Sequence, residues 1–134
     1  MSNSTKEVES VKIVVIDNSD YARKLTVELL ESEGFNVVGQ AKNSDEAAQY
    51  MSRSLANLFI IDLLMPKISG IDLIKMMQEK VMNVHIIMTS SVRSNHLVID
   101  SFSNGAFDFL LKPLKKNDLL KSVLKIKQLI ETSD

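Results

Sequence analysis

The sequence predicts an α/β fold: a doubly wound sheet of five parallel strands, sandwiched between helices in three layers. Short β-branched runs alternate with longer segments whose apolar residues recur at helical spacing. The interiors of the short runs are apolar almost throughout, which marks strands covered on both faces, as in a parallel sheet between helices. Four of the runs are followed at once by polar residues, and ligands gather at the carboxyl edge of such a sheet.

The first strand is read at Lys12–Ile16. The helix after it carries Ala22, Leu25 and Leu29 as its buried stripe, and Gly34 suits its C-terminal cap. The second strand is Val37–Ala41; Asn43 with Glu46 resembles a capping box opening a helix that buries Ala47, Ala48 and Met51. The third strand, Leu58–Ile61, leads to a second such pair, Ser69 with Asp72, and to an inward stripe of Ile71, Ile74 and Met77. The fourth is Val84–Met88, followed by a helix that His96 begins and Gly105 caps. The fifth is Phe107–Leu111, and the last helix buries Leu119, Val123, Ile126 and Ile130. Right-handed crossovers join these units into one doubly wound sandwich.

A chain of 134 residues fits one domain, which buries roughly two thirds of its unfolded surface. The domain is read as residues 11–132, after a polar tail at 1–10 that lacks the apolar stretch of a secretion signal. The formal charge of −1 supplies no global field toward nucleic acid or an anionic membrane, so neither is expected as a direct partner. No apolar run approaches the roughly 20 residues of a membrane-spanning helix. Cysteine is absent, which excludes disulfides and thiolate metal sites. A soluble cytoplasmic protein is expected.

The polar residues at the strand ends are Asp17-Asn18, Asp62, Thr89-Ser90 and Lys112-Pro113. Singly, each has an ordinary role: a turn, a satisfied backbone group, a solvated cation. Together they form a chemical set. Carboxylates brought together repel unless a cation joins them, and an oxygen-only cluster without His or Cys suits Mg²⁺. With Mg²⁺ and an ammonium group nearby, Asp62 becomes a usable nucleophile toward an anionic phosphoryl group. Lys112 is the natural counter-charge, and Thr89 offers a hydroxyl to a remaining phosphoryl oxygen. His85 and His96 have no partner at metal-ligand spacing.

The strings IVVIDNSDYARKLTVELL, LFIIDLLMPKISGIDLI, HIIMTSS and GAFDFLLKPL resemble, in order and in spacing, the signature blocks of the response-regulator receiver family. The likeness runs over about residues 11 to 130 and is closest to the single-domain chemotaxis regulators of the CheY type. It implies the flavodoxin-like (βα)5 sandwich of that family. It makes Asp62 the phospho-acceptor, Asp17 a member of the acidic pocket, Thr89 the switch hydroxyl and Lys112 the phosphate-binding lysine. Asp17, Asp62, residue 18 and the backbone carbonyl of Leu64 become the Mg²⁺ ligands. Met65-Pro66 and Gly70 match the loop after the acceptor, and a cis peptide is implied between Lys112 and Pro113.

Two departures from the family pattern stand out. Position 18 usually holds a second acid and is Asn18 here, so the pocket loses one negative charge and metal affinity is expected to fall. Asp20 is read as a first-turn acid favoured by the helix dipole rather than as a replacement ligand. Leu64, two residues past the acceptor, is apolar where many relatives carry a polar side chain that helps orient water. Slow autodephosphorylation is the expectation.

The resemblance also implies an output. Phosphorylation of Asp62 draws Thr89 inward and opens space for the ring at position 109, which is Phe109; by periodicity alone Phe109 is equally a plain core residue. The fourth helix, fifth strand and fifth helix then report the change. Lys112, Lys115, Lys116, Lys121, Lys125 and Lys127 crowd that end of the chain, as a solvated face or as a surface for an acidic partner or a symmetric dimer. The partners implied are a histidine kinase or phosphotransfer protein as donor and a downstream effector protein, with the chain a monomer or a phosphorylation-dependent dimer. It is not expected to be an enzyme beyond its own phosphotransfer and autodephosphorylation. The alternatives are a pseudo-receiver, prompted by Asn18, and a phosphatase or flavodoxin. The last two lack, respectively, an Asp-x-Asp after the first strand and a loop rich in Gly, Ser and Thr.

Overall fold

A computed structural model describes residues 10–51, 55–80 and 83–132. Its strands are β1 Lys12–Ile16, β2 Asn36–Ala41, β3 Leu58–Asp62, β4 His85–Ser90 and β5 Asp108–Leu111. Its helices are α1 Asp20–Ser32, α2 Ser44–Met51, α3 Gly70–Glu79, α4 Asn95–Ser103 and α5 Lys116–Thr132. All neighbouring strands pair in parallel, in the order β2-β1-β3-β4-β5. This is the doubly wound (βα)5 sandwich that the alternating runs predict. The expected tail at 1–10 lies outside the described residues except for Ser10, whose hydroxyl donates to Glu131 Oε2 at 3.3 Å.

The pleat divides the core in two. Ile13, Val15, Leu58, Ile60 and Ile87 pack against Val27 and Leu30 of α1 and against Leu119, Val123 and Ile126 of α5. Their alternates Val14, Ile16, Phe59, Ile61, Ile86 and Met88 pack against α2 and α3 through Ala47, Met51, Leu73, Ile74 and Met77, with Leu97 and Val98 of α4 at the margin. Side chains alternate with a period of two along a strand. Residues 17, 62, 89 and 112 therefore continue the α1/α5 face of Val15, Ile60, Ile87 and Leu110 at the carboxyl edge of the sheet.

Strand bounds shift from the sequence expectation where polar residues still pair. β3 includes Asp62, and β4 begins at His85 and runs through Thr89 and Ser90. β2 begins one residue earlier than expected, at Asn36, and β5 one later, at Asp108. Capping agrees with the expectation. Ser69 Oγ accepts from the Asp72 N–H at 3.2 Å; Asn43 Oδ1 accepts from the Glu46 N–H, and Glu46 returns a bond to the Lys42 N–H, both at 2.9 Å. Gly34 and Gly105 follow the last helical turns of α1 and α4 with φ of 84° and 109°, a conformation that glycine adopts without a Cβ penalty.

The stripe expected on α1 is displaced by one residue. Thr26, Val27 and Leu30 are buried, whereas Leu25 is 42% exposed. Thr26 tolerates burial because its hydroxyl donates to the Ala22 carbonyl at 3.0 Å, leaving no unpaired polar atom. Tyr21, Ala22, Leu25 and Leu29 instead line a groove beside Pro113 and Leu114. On α2, Ala47 and Met51 are buried but Ala48 is exposed.

Candidate functional site

Asp17, Asp62 and Lys112 converge at the edge of the sheet. Lys112 Nζ lies 2.6 Å from Asp17 Oδ2 and 3.4 Å from Asp62 Oδ2. The other oxygen of each acid is held by backbone: the Ser19 N–H donates to Asp17 Oδ1 at 2.9 Å, and the Leu64 N–H to Asp62 Oδ1 at 3.3 Å. Both contacts span two residues, the reach of an Asx turn, and fix the rotamers so that Oδ2 of each acid meets the ammonium. Asp17 and Asp62 are both buried.

Parallel register sets the remaining members. The Asp62 Cα is partnered with that of Thr89, placing the two side chains together on the α1/α5 side. Thr89 is 2% exposed, and its hydroxyl donates to the Ile61 carbonyl at 3.5 Å. The Leu63 N–H donates to the Thr89 carbonyl at 2.8 Å, and the Lys112 N–H to the Ser90 carbonyl at 2.8 Å. The peptide between Lys112 and Pro113 is cis, as the resemblance implies.

Burial pushes the Asp62 carboxyl above the ordinary carboxylate range. The neighbouring Asp17 adds to the rise, while Lys112 and the Leu64 N–H oppose it without cancelling it. A carboxylate acts as a nucleophile only in its ionised form, and the Lys112 ammonium is the neighbouring charge that favours that form.

Hard oxygen donors are the right chemistry for Mg²⁺. Asp17 and Asp62 bring carboxylate oxygens together at Lys112, and an amide oxygen at position 18 is of the same hard kind, so the donor chemistry fits the ion. It is a lean set: among the described residues no three acidic, His or Cys side chains gather as a metal cluster. Asn18 directs its amide nitrogen to the Lys42 carbonyl at 3.4 Å. Asp20 stands apart, joined to Arg23 Nη2 at 2.6 Å, and that hydrogen bond together with the guanidinium charge holds its carboxyl below the ordinary range.

Arg23 was not singled out by sequence reasoning. Its Nη1 donates to the Asp17 main-chain carbonyl at 2.7 Å, so one guanidinium ties the start of α1 to the tip of β1. The Asp20–Arg23 spacing of three residues was the available signal. Gly70 has a steric role: a Cβ there would meet the Asp62 carbonyl oxygen at 2.7 Å and Leu63 Cα at 2.9 Å. Its lack of a side chain lets α3 start against the strand bearing Asp62.

The other predicted residues lie around this centre. The Leu64 side chain is 47% exposed beside Asp62. Phe109 is buried on the opposite face of the sheet, its Cα partnered with that of Met88. Of the lysines near the C-terminal end, Lys116 pairs with Glu33 at 3.0 Å and Lys127 with Glu131 at 3.6 Å. Lys115, Lys121 and Lys125 remain on the exposed surface. The apolar residues Ile99, Phe102 and Leu111 are exposed on α4 and β5, which the lysine pattern did not indicate. Among the described residues no helix is long and apolar enough to cross a membrane.

A five-stranded parallel sheet with two acids and a lysine meeting at its carboxyl edge has known counterparts. Residues 13–124 match the model of the response regulator receiver domain. Chemotaxis protein CheY of Bacillus subtilis (strain 168) is 29% identical over 114 residues, covering 85% of this chain and 95% of that protein. An uncharacterized response regulatory protein of Vibrio cholerae is 31% identical over 122 residues, 90% of this chain and 50% of that protein. The crystal structure of the CheX-CheY-BeF3-Mg complex from Borrelia burgdorferi superposes with a TM-score of 0.81 at 28% identity, covering 87% of this chain and 88% of that one. The chain belongs to the response regulator receiver domain family, of the CheY-like kind, and so to two-component signalling.

Proposed function

We propose that this chain is a phosphorylation-dependent switch whose phospho-acceptor is Asp62. The observation that carries this reading is the Lys112 ammonium lying against both Asp17 and Asp62, with Thr89 beside the acceptor. An oxygen of Asp62 forms the new bond to phosphorus, the P–N bond of a phosphohistidine on a histidine kinase or phosphotransfer protein breaks, and its electron pair returns to the imidazole. Lys112 and Thr89 then hold two of the phosphoryl oxygens. When bound, Mg²⁺ offsets the repulsion between carboxylate and phosphoryl oxygens; Asp17, Asp62, Asn18 and the Leu64 carbonyl are the groups that would hold it. The donor approaches over Tyr21 and Leu25, exposed walls of the groove that Lys112 and Pro113 also line.

Drawing Thr89 toward the phosphoryl group opens space near β5, and the Phe109 ring responds. The α4-β5-α5 face then changes its affinity for an effector protein or a second copy of the chain, with Ile99, Phe102 and Leu111 as the apolar part of that surface. We place the protein in the cytoplasm and assign it no turnover beyond its own phosphotransfer and autodephosphorylation. Incubation with acetyl phosphate and MgCl₂, followed by intact mass, tests the proposal. Wild type gains one phosphoryl group and Asp62→Asn gains none. An unmodified wild type overturns it in favour of a pseudo-receiver, the reading favoured by Asn18 with its amide turned to the Lys42 carbonyl.

A further inference from the structure

Asn104 is the one asparagine in the sequence that precedes a glycine, and the pair closes α4 just before β5 begins at Asp108. A backbone nitrogen that follows asparagine can attack the side-chain amide carbon, and glycine, with no Cβ, hinders that attack least. Asn104 caps the helix with ψ of 5°, which turns the Gly105 nitrogen over the residue's own nitrogen and not toward its side chain. Hydrogen bonds hold this arrangement. Asn104 Nδ2 donates to the Asp100 carbonyl at 2.8 Å, the Gly105 N–H to the Phe102 carbonyl at 3.1 Å, and the Ala106 N–H to the Ser101 carbonyl at 3.0 Å. In the closed turn, neither the amide nor the nucleophile is free to react. Yet the turn is lightly anchored: among the described residues of α4 Ser101 alone is buried, and Leu97 and Val98 are only partly so. Asn104 and Gly105 line an open polar hollow with Gln78 and Ser103, so water reaches them.

We propose that Asn104 is a self-modification site, deamidated when the last turn of α4 opens, and that the acid it yields keeps the turn from closing as before. The Gly105 nitrogen loses its proton to solvent base and bonds to Asn104 Cγ; the Cγ–Nδ2 bond breaks, and ammonia leaves with a proton from solvent. Water then opens the cyclic imide at either carbonyl, giving aspartate or isoaspartate. One water is consumed and one ammonia released. The new carboxylate lies at a helix C-terminus, where the dipole disfavours negative charge, and four residues after the like charge of Asp100. An oxygen now faces the Asp100 carbonyl where an amide donated to it. In the isoaspartyl product the main chain also gains a methylene ahead of Gly105, which displaces the buried Ala106. The face bearing the exposed Ile99 and Phe102 thus loses its fixed end in a one-way, time-dependent step, because the ammonia is lost to solvent.

The test is incubation of the full chain in mildly alkaline buffer, folded and in urea, read by ammonia release and by peptide mass spectrometry. Product is expected at Asn104 ahead of the other asparagines, forming about 10- to 100-fold more slowly in the folded chain than in urea, as for a local opening. Ammonia release is expected to fall in Asn104→Gln. A slowing of about a thousandfold or more, the level of global unfolding, overturns the local opening, and equal rates overturn the gating. Asn104→Asp stands in for the product. Hydrogen exchange at its Gly105 and Ala106 amides is expected to be about threefold faster or more than in wild type, with the β1 and β3 amides unchanged. Wild-type exchange at Gly105 and Ala106 overturns the effect on α4.

Discussion

One ammonium holds two buried acids together: Lys112 Nζ is 2.6 Å from Asp17 Oδ2 and 3.4 Å from Asp62 Oδ2, joining positions 95 residues apart in the chain. The contact stabilises the pocket, and in the proposed switch the same charge is the one that meets the phosphoryl group. Removing one partner of a buried ion pair leaves uncompensated charge. Lys112→Ala is expected to lose about 3 kcal/mol of unfolding free energy at neutral pH, with the loss shrinking as acid protonates the carboxylates. Urea denaturation at several pH values measures both effects.

Asp62 has the opposite signature. Its folded-state carboxyl is raised, first by burial and then by Asp17, from an ordinary value of 3.8. Proton binding therefore favours the folded state: the stabilisation is complete below the unfolded value and is lost as pH rises through the raised one. At neutral pH the wild type carries a destabilising buried carboxylate that Asp62→Asn lacks. The variant is expected to melt at a higher temperature than wild type at neutral pH, with the gap closing toward about pH 4. Thermal melts across that range decide it.

Gly70 is tested by adding one methyl group. A Cβ would lie 2.7 Å from the Asp62 carbonyl oxygen and 2.9 Å from Leu63 Cα, and backbone atoms yield less readily than the end of a side chain. Gly70→Ala is expected to cost about 1–3 kcal/mol, although Gly→Ala in an unobstructed helix usually stabilises. The same variant should accept phosphate from acetyl phosphate more slowly, since the strand carrying the acceptor must shift. Denaturation and the mass-detected phosphorylation rate are the two readouts.

Leu64 bears on lifetime. Its exposed side chain stands beside Asp62, the proposed acceptor, with no polar group to orient attacking water. Leu64→Asn is expected to shorten the phospho-form lifetime by about tenfold or more, followed as phosphate release from purified phosphoprotein. Equal lifetimes in the two proteins would remove Leu64 from the account.

The fold and most of the pocket were legible because a parallel sheet writes itself as apolar runs that end in polar residues. Asp17, Asp62, Thr89 and Lys112 each follow or end such a run, and the pleat turns all four to one side. Less legible was the length of β4. Thr89 and Ser90 look like loop residues, yet they pair because Thr89 lies in register with Asp62. The buried face of α1 was misread because hydrophobicity favours Leu25 over Thr26, while the hydroxyl of Thr26 is satisfied within its own helix. Arg23 was missed because its partner is a main-chain carbonyl, which residue identities do not display.

The claim that Asp62 is the phospho-acceptor is tested most directly by locating the group. Wild type treated with acetyl phosphate and MgCl₂ is reduced with borohydride, which converts an aspartyl phosphate to homoserine, and the peptides are sequenced by mass spectrometry. The account predicts homoserine at position 62 alone. Homoserine at position 17, or an unreduced Asp62 in phosphorylated protein, would contradict it.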